Sequence, residues 1–334
     1  MKPAKLITEV PIKPSDWKIN LHSKILTIGS CFADVLGNQL DDNKFPVLNN
    51  PFGTLFNPLT ISKILDSALE KKTPNPALYL QNSDGIWLHH DFHSSEWAGN
   101  RDELESQLIS KLGNVRKFLE ETDVLVITLG TAYAYRHRAT NLLVGNCHKV
   151  LADRFIKELL HPDQIMIPLE LLINKLKSFR RNLQIILTIS PVRHTKDTLQ
   201  LNQVSKSTLR LISHRLSEKF AQVEYFPSYE IMVDELRDYR FYNDDLIHPN
   251  KMAEDHIFRI FANSYVDPAA LDFMKEWESV RQLINHRPQH GLTESQYKLL
   301  HVLKDKLNKM SAITNVSFEL AEIERRIQEF PDLK

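Results

Sequence analysis

Four short runs of β-branched and aliphatic residues, at 24–28 (KILTI), 124–129 (VLVITL), 184–189 (QIILTI) and 223–226 (VEYF), dominate this sequence. A strand with one face in water alternates apolar and polar residues, whereas a mostly continuous apolar run requires cover on both faces. Between these runs, residues 58–72, 101–121, 164–181 and 198–220 place apolar side chains three and four apart, as in Leu104, Leu108, Leu112, Val115, Phe118 and Leu119. That spacing predicts amphipathic helices. Strands alternating with such helices form a parallel sheet covered on both faces, an α/β three-layer sandwich, with residues 45–48 as a weaker fifth strand.

Two stretches break the alternation. Asn82-Ser83-Asp84-Gly85 separates Tyr79-Leu80 from Ile86-Trp87-Leu88, which predicts a hairpin inserted at about 78–100. A second insert follows the 124–129 strand, where 133–137 and 142–144 flank a turn at Thr140-Asn141. After Tyr265 the pattern is purely helical, over 268–285, 293–309 and 317–330, with Pro288 and Gly291 as punctuation. We therefore expect a main domain at 1–265 and a C-terminal helical extension at 266–334, whose stripe of Leu299, Leu303, Leu307 and Met310 packs onto the main domain.

Charge and cysteine content narrow the function. The 42 basic and 42 acidic side chains balance to a net charge of +0, without a long block of one sign, so no nucleic-acid partner is expected. Cys31 and Cys147 are the only cysteines, too few for a disulfide framework or a thiolate zinc site. Neither a signal peptide nor a membrane-spanning run is read, and the expected location is the cytoplasm. No phosphate-binding glycine loop of the dinucleotide or Walker type occurs, and no cofactor is expected.

With only nine glycines, Gly29 and Gly130 directly after strands, and Gly53 in a polar loop, are informative. Ligands in open parallel sheets bind outside the carboxyl ends of the strands, which puts Ser30, Cys31 and Thr131 at the mouth of that crevice. Ser30 stands at a predicted helix start, either as its cap or as a nucleophile beside amides that stabilise negative charge. Farther along, Asp245-Leu246-Ile247-His248-Pro249 spells Asp-x-x-His before a proline. In a short loop Asp245 can accept from Nδ1 of His248, leaving Nε2 to take the proton of Ser30.

Gly29-Ser30-Cys31-Phe32-Ala33 is the motif after which the GSCFA-domain family is called, and the chain resembles that family and the wider SGNH (GDSL-type) hydrolases over about 20–265. The resemblance implies a flavodoxin-like five-stranded parallel sheet of order 2-1-3-4-5 and acyl-ester chemistry with Ser30, Asp245 and His248 as the triad. It also implies an oxyanion hole from the Ser30 amide, the Gly53 amide and an asparagine. Where those hydrolases carry Gly-x-Asn-Asp this chain has Gly130-Thr131-Ala132-Tyr133, leaving Thr131 or Asn50 as the substitute donor.

Arg193 and His194, after the 184–189 strand, are candidates for substrate binding together with Asn50. In an extended segment His89, Asp91 and His93 would face one way, as metal ligands do, but no matching fourth ligand exists and no metal is expected. Cys31 is a rival nucleophile, expected instead to lie buried beneath the sheet. The sequence thus predicts a serine-dependent hydrolase or acyltransferase acting on a small-molecule or carbohydrate acyl ester. A catalytically weak glycan-binding module is the alternative.

Overall fold

The computed structural model describes residues 7–286 and 293–330. Its centre is a five-stranded sheet of β1 (Ile25–Gly29), β2 (Val47–Asn49), β5 (Val124–Leu129), β9 (Gln184–Ile189) and β10 (Val223–Phe226), in the spatial order β2-β1-β5-β9-β10. Every pairing is parallel, with Ile25 opposite both Val47 and Val124, and Val124 opposite Gln184. In order of sequence this is the expected 2-1-3-4-5 arrangement. The sequence places the second strand at 45–48, two residues early, because Phe45 is apolar as a core residue under the strand's entry and not as a strand member.

The continuous apolar runs divide between two cores by the two-residue period of a strand. Leu26, Ile28, Leu125, Ile127, Ile185 and Leu187 join the core covered by α2 (Pro58–Leu69), α3 (Arg101–Leu119), α4 (Pro162–Phe179) and α5 (Thr198–Lys219). Ile25, Val124, Val126, Ile186 and Phe226 join the opposite core with α1 (Cys31–Asp42) and α7 (Lys251–Tyr265). A single turn, α6 (Ser228–Glu230), follows β10. Burying each of these aliphatic side chains contributes about 1.5–3 kcal/mol, which makes the sheet a rigid platform for whatever its carboxyl edge carries. Helix starts are set by side-chain caps: Asn57 accepts from the Thr60 amide, Asn100 from Glu103 and Asn250 from Ala253.

The same second core continues into α8 (Pro268–Asn285), α9 (Glu294–Met310) and α10 (Ser317–Gln328). Trp277 Nε1 donates to the Asp42 carbonyl at 2.7 Å, and Lys44 pairs with Glu319 at 2.6 Å. The buried stripe of α9 is Leu300, Leu303, Leu307 and Met310, so Leu300 replaces the expected Leu299 at its first position. Pro288 and Gly291 lie outside the described residues. No helix among the described residues is long and apolar enough to cross a membrane.

The first insert is the hairpin of β3 (Tyr79–Gln81) and β4 (Trp87–His89). In the second, β6 (Tyr133–His137) pairs with β7 (Leu142–Val144) and also with β8 (Phe155–Leu159). The sequence reading missed β8, whose Lys157 and Glu158 interrupt its apolar pattern. The two inserts are sewn together by backbone and histidine: the Gly145 and Asn146 amides donate to the His90 carbonyl, His90 Nδ1 to the Asn146 carbonyl at 2.8 Å, and His148 Nε2 to the His89 carbonyl at 2.9 Å.

Candidate active site

Strand β1 ends in Gly29, whose φ of +135° and close approach to β5 admit no side chain: a Cβ would sit 2.1 Å from the Thr128 carbonyl oxygen. The chain then turns into α1, with Ser30 as its cap. Ser30 is 1% exposed, and its Oγ accepts from the Phe32 amide at 3.3 Å. Cys31, expected beneath the sheet, is instead only partly buried. As the first residue of α1 it lies within the electrostatic reach of Asp34 and Lys206. Burial raises its thiol pKa, Asp34 adds to the rise and Lys206 opposes it.

The Asp245–His248 loop lies between β10 and α7. Asp245 Oδ2 is 2.6 Å from Nδ1 of His248, while Oδ1 accepts the Ile247 and His248 amides at 2.9 Å each. These bonds hold the carboxyl pKa down at about 2. Leu246, at the turn between them, takes a φ of +58°. A carboxylate only accepts, so neutral His248 carries its proton on Nδ1 and offers the lone pair of Nε2.

Both amides expected for the oxyanion hole are committed to other acceptors. The Ser30 amide extends the β1–β5 ladder to the Thr128 carbonyl at 3.0 Å, and the Gly53 amide closes a turn onto the Asn50 carbonyl at 2.8 Å. Thr131 Oγ1 shares a hydrogen bond with Ser205 Oγ at 3.0 Å. Asn50, buried with a φ of +38°, is spent on the Gly29 turn: its Oδ1 accepts the Gly29 amide and its Nδ2 donates to Asp34. The side chain of His93 lies over Gly53, where a Cβ would meet it at 2.7 Å.

Arg193 and His194 differ in environment. Arg193 Nη2 donates to Tyr242 Oη at 3.0 Å with the guanidinium over the same ring. His194 packs edge-on against Phe56, and its buried Nε2 has no hydrogen-bond partner. Burial, then the positive charges of Lys206 and Lys157 and the neighbouring His248, lower the His194 pKa to about 4.

Lys206 is the residue that sequence reasoning passed over. Fully buried on α5, it donates to the Gly130 carbonyl at 2.9 Å and the Ser190 carbonyl at 2.7 Å, tying the carboxyl ends of β5 and β9. Burial lowers its pKa to about 7. Its charge is felt at Cys31 and at His194, and His248 is felt at His194, so these groups line one edge of the sheet. A signal was present in the sequence: the buried face of α5 reads Asn202, Ser205, Lys206, Leu209, Ile212, Ser213, Leu216. Polar residues crowd the amino-terminal end of that interior stripe, the later Ser213 being satisfied by the Leu209 carbonyl of its own helix, which marks that end as facing something polar. Replacing Lys206 with methionine orphans two carbonyls, and unfolding in denaturant is expected to show a loss of about 1–3 kcal/mol. An unchanged unfolding midpoint and slope would contradict this bridge.

The expected common face of His89, Asp91 and His93 does not form, because the chain turns at His90. His89 Nε2 donates to the Asn75 carbonyl, Asp91 pairs with Lys63 at 2.6 Å, and His93 faces Ser95. Among the described residues no group of three or more His, Cys, Asp or Glu is placed to hold a metal ion.

The model of the GSCFA family matches residues 24–261, and that of the GSCFA domain protein, C-terminal domain, matches 277–329. The chain belongs to the GSCFA family. No curated protein matches it. Solved structures similar to it include a carbohydrate esterase family 3 from Talaromyces cellulolyticus, 10% identical with a TM-score of 0.35, covering 76% of this chain and 99% of that one. Another is a family 3 carbohydrate esterase from Clostridium thermocellum, 10% identical, TM-score 0.33, covering 76% and 98%. A structure described as a GDSL-like lipase from Parabacteroides merdae is 14% identical, TM-score 0.35, covering 76% and 98%. The α/β assignment of this GSCFA protein rests on its own strand order and register.

Proposed function

We propose that this GSCFA protein is a serine-dependent hydrolase of acyl esters, acting on O-acyl groups of a carbohydrate or similar polymer. Ser30 attacks the ester carbonyl, and His248, oriented by Asp245, takes the Ser30 proton and returns it to the leaving alcohol. Water entering on the same path releases the acid; an acceptor alcohol in its place gives acyl transfer. The observation that carries the reading is the 2.6 Å Asp245–His248 pair with its carboxylate pinned by two amides, an arrangement that holds one tautomer and one ring orientation. A buried serine at a helix start, one residue past a strand end, supports it.

In this reading the Ser30 and Gly53 amides exchange their present acceptors for the oxyanion when substrate enters, and the Thr131 hydroxyl joins them as a donor. Each such donor contributes about 3 kcal/mol of transition-state stabilisation, so the need to release them predicts a slow enzyme on small esters. Their commitment is also the observation that favours the second reading, a glycan-binding module with weak chemistry.

Labelling with a fluorophosphonate separates nucleophile from cap. The expected result is one adduct, mapped to the peptide of Ser30 and retained in Cys31→Ala. An adduct lost with Cys31 assigns the thiol, and folded parent protein without an adduct assigns the binding module.

A further inference from the structure

We propose that Tyr239, Tyr242 and Arg193 form the subsite for the alcohol side of the ester and that this alcohol is a sugar ring. The inference rests on the reading of Ser30 and His248 as an ester-cleaving pair. Its starting point is a backbone lock. The Asn243 amide donates to the His248 carbonyl at 2.8 Å, the Asn250 amide to the Phe241 carbonyl at 2.9 Å, and Asn243 Nδ2 to the Pro249 carbonyl at 3.1 Å. Tyr242 and Pro249 form an antiparallel bridge. The segment carrying the two tyrosines is therefore fixed to the segment carrying His248.

The surface they make is specific in its chemistry. The Arg193 guanidinium lies 5.3 Å from the Tyr242 ring centroid, and the Tyr239 ring lies 6.4 Å from that of Tyr242 at 51°. Tyr239 is 72% exposed. Below them Tyr229 is buried, feels both Arg193 and Tyr242, and has the Lys206 ammonium 5.4 Å from its ring. A continuous aromatic and cationic path thus runs from the sheet edge at Gly130 and Ser190 out to solvent.

Two flat faces suit the axial C–H groups of a pyranose, and the phenol hydroxyls and remaining guanidinium N–H groups suit its hydroxyls. The set contains no aliphatic side chain to receive an acyl tail. An anionic ligand is disfavoured as well: Arg240, the other cation of this segment, is taken by Asp238 through two bonds of 3.0 and 2.8 Å, and Arg193 spends Nη2 on a phenol. Sugar is the chemistry that uses the ring faces, phenol hydroxyls and guanidinium of Tyr239, Tyr242 and Arg193 together.

The test uses the full chain with an O-acetylated xylo-oligosaccharide as substrate and the deacetylated oligosaccharide as ligand. Tyr239→Ala removes one stacking face, worth about 0.5–1.5 kcal/mol. That converts to a rise in KM of about 2–10-fold with kcat held. Tyr242→Phe keeps the ring, frees Arg193 and is expected to give a smaller rise. If kcat falls and KM does not, Tyr239 is structural and the subsite is wrong. Calorimetry with the deacetylated oligosaccharide decides the point independently of turnover. Parent and Ser30→Ala are expected to bind alike and Tyr239→Ala about 2–10-fold more weakly; no binding by the parent, or equal binding by Tyr239→Ala, overturns the proposal. Failure of the parent to cleave either 4-nitrophenyl acetate or the acetylated oligosaccharide, with calorimetric binding intact, would overturn the ester reading and the assignment to its alcohol side while leaving Tyr239 in a sugar-binding surface.

Discussion

Ser30→Ala is expected to reduce turnover of an activated ester by about 10³-fold or more while leaving the thermal transition nearly in place. Removing the nucleophile of a serine–histidine–carboxylate set takes away a step that no neighbour supplies, so losses of this size accompany such substitutions. Losing the cap bond to Phe32 costs only about 1 kcal/mol of helix stability. The two effects are therefore separable, kinetics reporting the nucleophile and melting reporting the cap. Equal turnover by the variant and the parent would remove Ser30 from the chemistry. Parallel measurements on His248→Gln and Asp245→Asn should show the larger loss for His248, since Asp245 acts through the ring it orients.

Acid is the second large lever, and it acts on the inserts. His89 and His90 are buried where the two inserts meet, and burial lowers their pKa to about 3 and about 4. The hydrogen bonds make the neutral forms specific. Carbonyl oxygens accept from His89 Nε2, His90 Nδ1 and His148 Nε2, so each ring carries its proton there. His89 Nδ1 in turn accepts the Asp91 amide at 3.1 Å, and a second proton on that ring would point at a donor. In the unfolded chain these rings titrate near 6.5. Between that value and the folded values the unfolded state binds more protons, so stability falls as pH falls. By pH 4.5 the loss is about 2 kcal/mol for each of these two rings. Denaturant titrations from pH 7 to 4.5 measure the slope, and it should flatten in His89→Gln/His90→Gln, even with the variant less stable at pH 7. An unaltered slope would place the acid sensitivity elsewhere.

The histidine seam shows why one half of this protein was readable and the other was not. The three central strands β1, β5 and β9 are buried on both faces, which calls for mostly continuous apolar runs, so residues 124–129 and 184–189 declared themselves with their boundaries intact, whereas the edge strands β2 and β10 are half-buried. Strand β8 lies at the edge of a small exposed sheet, where Lys157 and Glu158 are tolerated and the pattern is lost. The Asp245–His248 contact spans three residues of one loop and is local enough to be inferred from spacing before a proline.

Whether the expected oxyanion donors are already committed was not legible, for the opposite reason. Whether the Ser30 amide is free depends on the register of β1 against β5, and whether Gly53 is free depends on how the 50–53 turn closes. Lys206 belongs with them: a lysine inside a helical stripe acquires meaning only when two strand ends converge on it.

What the sequence determined by itself was the layering, the strand order through its family motif, and the local pairing of Asp245 with His248. These depend on side-chain periodicity and on contacts within a few residues. Tertiary structure alone decided which donors are already satisfied, that Cys31 is only partly buried instead of lying beneath the sheet, and that the Tyr239–Tyr242 segment is braced to the His248 loop. Hydrogen bonds and burial at those positions are set by partners far away in the chain, and no local pattern encodes a partner that only folding brings near.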